Sequence, residues 1–220
     1  MKQKIAVQID FDGTVTTEDV SFLLLDTFVG IGWRKHLGAY TSGDITVGNF
    51  NKKVFGMMKA SRKTMTEFIL TSPKVKLRPG FKELIEFCRD KGYYPMIVSN
   101  GLSFYIQALL ERLGLDDLEV HAAENRFLKG GMQVQYTGPD GKEVDAGFKE
   151  VYTKYLTEQG YKVIYIGNGT SDIHPARLAM EVFACEDLLK ACKKEKVAHY
   201  SFKDFFEIIQ VLKKMTANAK

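Results

Sequence analysis

Hydrophobic positions along the chain alternate between two periods. A β-branched run, Ile5-Ala6-Val7-Gln8-Ile9, stops abruptly at Asp10-Phe11-Asp12-Gly13-Thr14, which predicts a short buried strand and then a turn. Phe81, Leu84, Ile85 and Cys88 fall at i, i+3, i+4 and i+7, a helix stripe, with Gly92 suited to the position just past its end. Tyr93–Val98 predicts a buried strand ending at Ser99-Asn100-Gly101. Ile106, Leu109, Leu110 and Leu113 repeat the helical stripe as far as Gly114. A strand over 118–123 follows. Alternating Met132-Gln133-Val134-Gln135-Tyr136, between Gly130-Gly131 and Gly138-Pro139-Asp140-Gly141, predicts a β-hairpin excursion within 125–147. Phe148, Val151, Tyr152 and Tyr155 form a third stripe, closed by Gly160. Lys162–Ile166 predicts a strand ending at Gly167-Asn168-Gly169-Thr170-Ser171-Asp172. A short helix, a strand at Val182–Cys185, a helix over 186–194 and an amphipathic helix near 202–215 complete the pattern.

Residues 15–75 have a different texture. Thr17-Glu18-Asp19 reads as a helix start, followed by Phe22, Leu25 and Phe28 at near-helical spacing. Glycines at 30, 32, 38, 43 and 48 punctuate the next stretch, and further helices are predicted around Phe50–Met58 and Thr64–Leu70, with Pro73 closing the block. No strand is predicted there. Strands alternating with helices elsewhere imply βα units and a mainly parallel sheet. The expected architecture is an α/β core, residues 1–14 and 76–220, interrupted by a helical block at 15–75.

Composition narrows the function. The 220 residues are 45% apolar and 26% charged, ordinary for a globular chain, and the charge sum of 31 − 27 = +4 is too mild to announce nucleic acid. Cys88, Cys185 and Cys192 are too few and too scattered for a disulfide framework or a zinc site. No apolar run approaches a membrane span, and Met1-Lys2-Gln3-Lys4 leads directly into the first strand, so neither a membrane partner nor a signal peptide is expected. The expected location is the cytoplasm.

Three polar clusters each follow a buried strand: Asp10 with Asp12, Ser99 with Asn100, and Asn168 with Asp172. In a parallel sheet all strand C-termini share one edge, and ligands bind there where the strand order reverses. Carboxylates two residues apart suit one group that attacks and one that handles a proton. A plain Asp-Gly turn is the alternative, although it needs no second aspartate two residues earlier. Ser99 either caps the helix that follows or holds an anion through the same N–H groups. The four histidines (His36, His121, His174 and His199) show no ligand spacing, though His174 sits beside the last cluster.

Asp10-Phe11-Asp12-Gly13-Thr14-Val15-Thr16 resembles the D-x-D-G-T first motif of the haloacid dehalogenase superfamily. Ser99-Asn100-Gly101 after a strand resembles its second motif, and Lys149 at a helix start its third. Gly167–Asp172 resembles the fourth, G-D-G-x-x-D. A helical block directly after the first motif is similar to the branch containing phosphoserine phosphatase and the methionine-salvage phosphatase. The resemblance implies a three-layer Rossmann-like core with a helical C1-type cap inserted after the first motif. It also implies Mg²⁺-dependent hydrolysis of a small phosphorylated metabolite by a monomer or homodimer. Asp10 is then the nucleophile that forms an aspartyl-phosphate, Asp12 the general acid and later base, and Lys149 the neutralising cation, with Lys154 as the alternative. Ser99 and the N–H groups of Asn100 and Gly101 would hold phosphoryl oxygens. Mg²⁺ is expected among the Asp10 carboxylate, the Asp12 carbonyl, Asn168 and Asp172. Asp19 falls where the serine-phosphate relatives use an acid to meet an amine. One residue departs from the family pattern: position 168 carries asparagine instead of aspartate, which keeps an oxygen donor but loses a charge, so weaker Mg²⁺ binding is expected unless Asp172 compensates. Two further readings follow: a phosphotransferase or mutase using the same aspartyl-phosphate, and a non-catalytic phosphate-binding module.

Overall fold

The structure is a computed structural model that describes residues 3–218. The N-terminal apolar run forms β1 (Lys4–Ile9). A helical block follows, with α1 (Val20–Phe28), a 3₁₀ segment (Ile31–His36), α2 (Leu37–Thr41), α3 (Val47–Phe55) and α4 (Arg62–Thr71). The chain continues through α5 (Phe81–Asp90), β2 (Tyr94–Leu102), α6 (Ser103–Arg112), β3 (Glu119–Leu128), β4 (Gly131–Gln135) and α7 (Phe148–Glu158). It ends with β5 (Tyr161–Gly167), α8 (Ile173–Ala176), β6 (Glu181–Ala184), α9 (Glu186–Glu195), β7 (Tyr200–Ser201) and α10 (Phe205–Asn218). No helix among the described residues is long and apolar enough to cross a membrane.

The seven strands make one sheet in the order β4-β3-β2-β1-β5-β6-β7, parallel except for β4. β1 lies between β2 and β5, so the strand order reverses across it and a crevice opens at the C-terminal ends of these three strands. Each of those ends carries one of the polar clusters. A sheet covered on both faces needs strands apolar on both sides, and Ala6, Val7 and Ile9 are fully buried.

Gln8 is the polar exception in β1, and its partners set the orientation of α7. Its Nε2 donates to the Lys149 carbonyl at 2.9 Å, and its Oε1 accepts from the Thr153 hydroxyl at 2.8 Å. The buried face of α7 therefore comprises Phe148, Lys149, Tyr152, Thr153 and Leu156, whereas Tyr155, assigned to the apolar stripe from sequence, is 40% exposed. Hydrophobic periodicity misplaces this face because two polar side chains with buried partners occupy it.

Two other elements differ from the sequence expectation. β2 does not stop at Val98 but runs through Ser99-Asn100-Gly101, with a register shift against β3 between Val98 and Leu102. β3 is longer than 118–123 because its far half pairs with β4 over 124–128, forming the hairpin excursion. The two-residue β7 is too short to leave a periodic signal.

The helical block is stapled to the core at its neck. Thr16 bridges Leu77, Thr17 N–H reaches the Lys76 carbonyl at 2.9 Å, and Arg78 N–H reaches Val15 O at 2.7 Å. Asp19, Thr46 and Ser61 cap α1, α3 and α4 by accepting the N–H of Phe22, Asn49 and Thr64. Trp33, Phe50, Val54 and Met65 are buried in the same apolar cluster as the sheet. Each large side chain buried there contributes about 1.5–3 kcal/mol, which holds the block against the core.

Thr153→Val keeps the shape of α7 but leaves Gln8 Oε1 without its buried donor. Urea unfolding should report a loss of about 1–3 kcal/mol.

Candidate active site

Asp10 emerges at the end of β1, where its N–H donates to Ile166 O at 2.9 Å and ties the tip of β1 to β5. Lys149, in the first turn of α7, places Nζ 2.7 Å from Asp10 Oδ1 and 2.6 Å from Asp172 Oδ1. All three side chains are at least nine-tenths buried. Burial alone would lower the lysine's pKa, but the two carboxylates outweigh it and hold the ammonium above its ordinary range. Burial lifts Asp10 to about 7 even though Lys149 opposes it, because Asp172 and Asp12 add like charge. Lys154 instead pairs with Glu150 on the helix surface.

Asp172, expected beside the metal, uses both carboxylate oxygens on protein donors. Oδ1 accepts Lys149 and the Tyr165 hydroxyl, both at 2.6 Å. Oδ2 accepts the N–H groups of Asn168 and Gly169 at 3.0 and 2.8 Å. In this geometry the residue holds the lysine and the loop after β5, and it offers no free oxygen to a cation.

Asp12 is held by groups from α1 and α6. Its Oδ1 accepts Val20 N–H at 3.1 Å, and its Oδ2 accepts the hydroxyls of Ser21 and Tyr105. Those two hydroxyls are also 2.8 Å apart. Burial, then the charge of Asp19, raises Asp12 to about 7, and the Tyr105 hydrogen bond partly offsets this. Asp19 is lifted by burial to about 6, and its Oδ1 is engaged in capping α1 at Phe22 N–H. Close packing here requires two glycines. A Cβ on Gly101 would strike Tyr105 Oη and Asp12 Oδ2, and one on Gly13, at φ +75°, would strike the Asn168 amide.

The second cluster is wired to the helical block. Ser99, fully buried, accepts Gly101 N–H on its Oγ at 3.0 Å, so that N–H, expected to hold a phosphoryl oxygen, is here taken internally. The Asn100 carbonyl accepts Asn51 Nδ2 from α3 at 3.2 Å and Tyr136 Oη at 2.6 Å. Asn100 Oδ1 is buried without a partner, a vacancy that a ligand donor would satisfy. It borders a cleft of about 480 Å³ between block and core, whose lining includes Tyr40, Thr46, Asn100, Lys149, Ser171 and His174.

Among the described residues no three His, Cys, Asp or Glu side chains cluster to hold a metal ion. The oxygen donors of this edge nevertheless suit a hard cation: the Asp10 carboxylate, the Asp12 carbonyl and Asn168 Oδ1. Asp10 Oδ2 has only a long contact, 3.5 Å, to the Thr14 hydroxyl, and Asn168 Oδ1 shares that hydroxyl at 3.1 Å. Asp10 and Asp172 contact the one ammonium, and Asp12 and Asp19 lie close enough to feel its charge, an imbalance that a divalent cation would correct. The residues present therefore fit Mg²⁺.

Sequence reasoning missed three contributors. Tyr105 lies in the first turn of α6, directly after the strand that carries the second motif, and its hydroxyl reaches Asp12. Gln8 looks like an ordinary break in an apolar run. Arg78 clamps the first loop by donating to the carbonyls of Gly13 and Thr14 at 2.7 and 2.9 Å, and no local pattern announces it.

Raised carboxylate pKa values fix the sign of a pH effect. Asp10, Asp12 and Asp19 bind protons more tightly folded than unfolded, so their stabilisation of the metal-free chain is complete below about pH 4 and is lost as pH rises through about 6–7. Thermal melts should show this part of the stability falling between about pH 4 and 7, and saturating Mg²⁺ should flatten the fall.

Comparisons with known proteins place the chain in a family. The family model described as haloacid dehalogenase-like hydrolase matches residues 7–177. A 2-hydroxy-3-keto-5-methylthiopentenyl-1-phosphate phosphatase of Geobacillus thermodenitrificans is 28% identical, over 98% of both chains. The bifunctional enzyme MtnB/MtnX of Bacillus licheniformis is also 28% identical over 99% of this chain, which spans only 51% of that longer protein. A substrate-bound phosphoserine phosphatase structure superposes with a TM-score of 0.72 at 19% identity, covering 96% of this chain and 99% of its own, which shows the shared fold. With the family model spanning all three polar loops on the sheet edge and Lys149, the chain belongs to the haloacid dehalogenase-like hydrolase family.

Proposed function

We propose that the chain is a Mg²⁺-dependent phosphomonoesterase that works through an aspartyl-phosphate on Asp10, with residues 15–75 as its cap. The observation that carries this reading is the buried Lys149 ammonium touching both Asp10 and Asp172, with a second carboxylate, Asp12, two residues along the same loop. Asp10 Oδ2 would attack phosphorus while Lys149 holds Oδ1. A carboxylate and a phosphate dianion repel by about 4 kcal/mol per unit pair at 4 Å and an effective dielectric near 20, so local positive charge is needed. Mg²⁺, held by the Asp10 carboxylate, the Asp12 carbonyl and Asn168 Oδ1, would supply part of it.

Asp12 suits proton transfer in both directions. With its pKa raised to about 7 by burial it carries a proton for the departing alkoxide near neutral pH, and it then accepts one from the water that hydrolyses the acyl-phosphate. Ser99 and the adjoining backbone would hold phosphoryl oxygens once Gly101 N–H exchanges its internal partner for the ligand. Covering the crevice with α2 and α3 would exclude bulk water and favour transfer to the water that is admitted.

The cleft favours a leaving group without a carboxylate. Its lining contains no arginine, and Lys149 is already committed to two carboxylates. Ile45 and Val47 offer apolar contact, while Asn100 Oδ1 and Thr46 suit hydroxyl groups. That profile fits a small neutral, hydroxyl-bearing phosphate ester, the chemistry named for the Geobacillus relative, better than phosphoserine.

Phosphate release from p-nitrophenyl phosphate should require Mg²⁺, and Asp10→Asn should lower kcat at least about 1,000-fold without unfolding the protein. Full turnover by that variant would remove Asp10 as nucleophile.

A further inference from the structure

The asparagine at 168 has a partner that the motif does not include. Its Nδ2 donates to Glu186 Oε2 at 3.1 Å, and its carbonyl accepts Leu188 N–H at 2.7 Å, so the first turn of α9 grips this residue at side chain and backbone. Glu186 has φ +48°, a left-handed conformation uncommon for a residue with a side chain, where a turn of ordinary geometry would serve a mere surface acid. Its other oxygen, Oε1, lies 3.5 Å from Arg78 Nη2, and the same guanidinium holds the carbonyls of Gly13 and Thr14 in the loop that carries Asp10 and Asp12. One chain of contacts therefore runs from the first loop through Arg78 and Glu186 to Asn168, and back to the first loop through Thr14.

We infer that Glu186 supplies from outside the metal-binding position the negative charge that Asn168 lacks, and orients the Asn168 amide so that its oxygen faces Asp10. This rests on the Mg²⁺ reading above. A carboxamide has one donating and one accepting end. A carboxylate placed against the donating end leaves only Oδ1 for the crevice, and it also draws electron density toward that oxygen. An aspartate at 168 would instead set two carboxylates against each other at the present separation. The family's charge has thus moved one residue outward, and asparagine is the side chain that can join the displaced carboxylate to the site. Glu186 is a positioning residue, since it touches Asn168 and not the substrate.

Isothermal titration of Mg²⁺ into the purified chain, Glu186→Gln, and the double variant Glu186→Gln/Asn168→Asp tests this. Glu186→Gln should bind Mg²⁺ about 10-fold more weakly, a size typical of losing a group that orients a metal ligand. Restoring the carboxylate at 168 in that background should bring affinity back to within about 3-fold of wild type. Metal-free melting of Glu186→Gln should stay within about 2 °C of wild type, which separates a metal effect from a folding one. Unchanged affinity in Glu186→Gln, or no recovery in the double variant, would overturn the assignment. Absence of saturable Mg²⁺ binding to the wild-type chain would overturn the metal reading itself, and this inference with it.

Discussion

The site depends on one buried ammonium held between two carboxylates. Lys149 reaches Asp10 at 2.7 Å and Asp172 at 2.6 Å, and these residues come from three separate segments of chain. Taking such charges out of water costs several kcal/mol per ion, and mutual attraction offsets this only when geometry is close and the remaining lone pairs are satisfied. Asp172 meets that condition with four donors. Asp10 does not, since one of its oxygens has only a long contact to Thr14. The unequal satisfaction makes Asp172 the anchor and supports the nucleophilic role proposed for Asp10.

The same imbalance explains why the crevice calls for further positive charge. Two carboxylates contact one lysine and two more lie within reach of its charge, and burial lifts Asp10 and Asp12 to about 7 and Asp19 to about 6. The divalent cation and the acid role at Asp12 proposed above would both answer this one electrostatic problem. The cleft beside α2 and α3 adds a third feature, a buried Asn100 oxygen without a protein partner, against which the proposed hydroxyl-bearing leaving group would be oriented.

Much of this was legible in the chain because the strands are short, apolar and followed at once by polar residues. The turn after Ile9, the polar residues that follow Val98 and the loop after Ile166 could be placed on one sheet edge from pattern and topology alone. The elements that periodicity misjudged are those where polar contacts override it. Tyr155 was assigned to the core face of α7, but Gln8 and Asp10 draw Thr153 and Lys149 inward in its place. Asp172 was expected to bind metal because its spacing says nothing about the donors folding brings to it. Arg78, Tyr105 and Glu186 act through contacts to loops distant in sequence, so no local window contains both partners.

Chemical unfolding of metal-free Lys149→Met at two pH values tests the central claim most directly. With the ammonium gone, Asp10 and Asp172 are left as uncompensated buried charges, and the variant should lose about 3–5 kcal/mol relative to wild type at pH 8. The part of that difference due to Asp10 should disappear at pH 5, because burial raises this carboxyl to about 7 even beside Lys149 and loss of the lysine raises it further, so it is protonated there in both proteins. A loss below about 1 kcal/mol that is the same at both pH values would mean that the lysine does not hold this edge together.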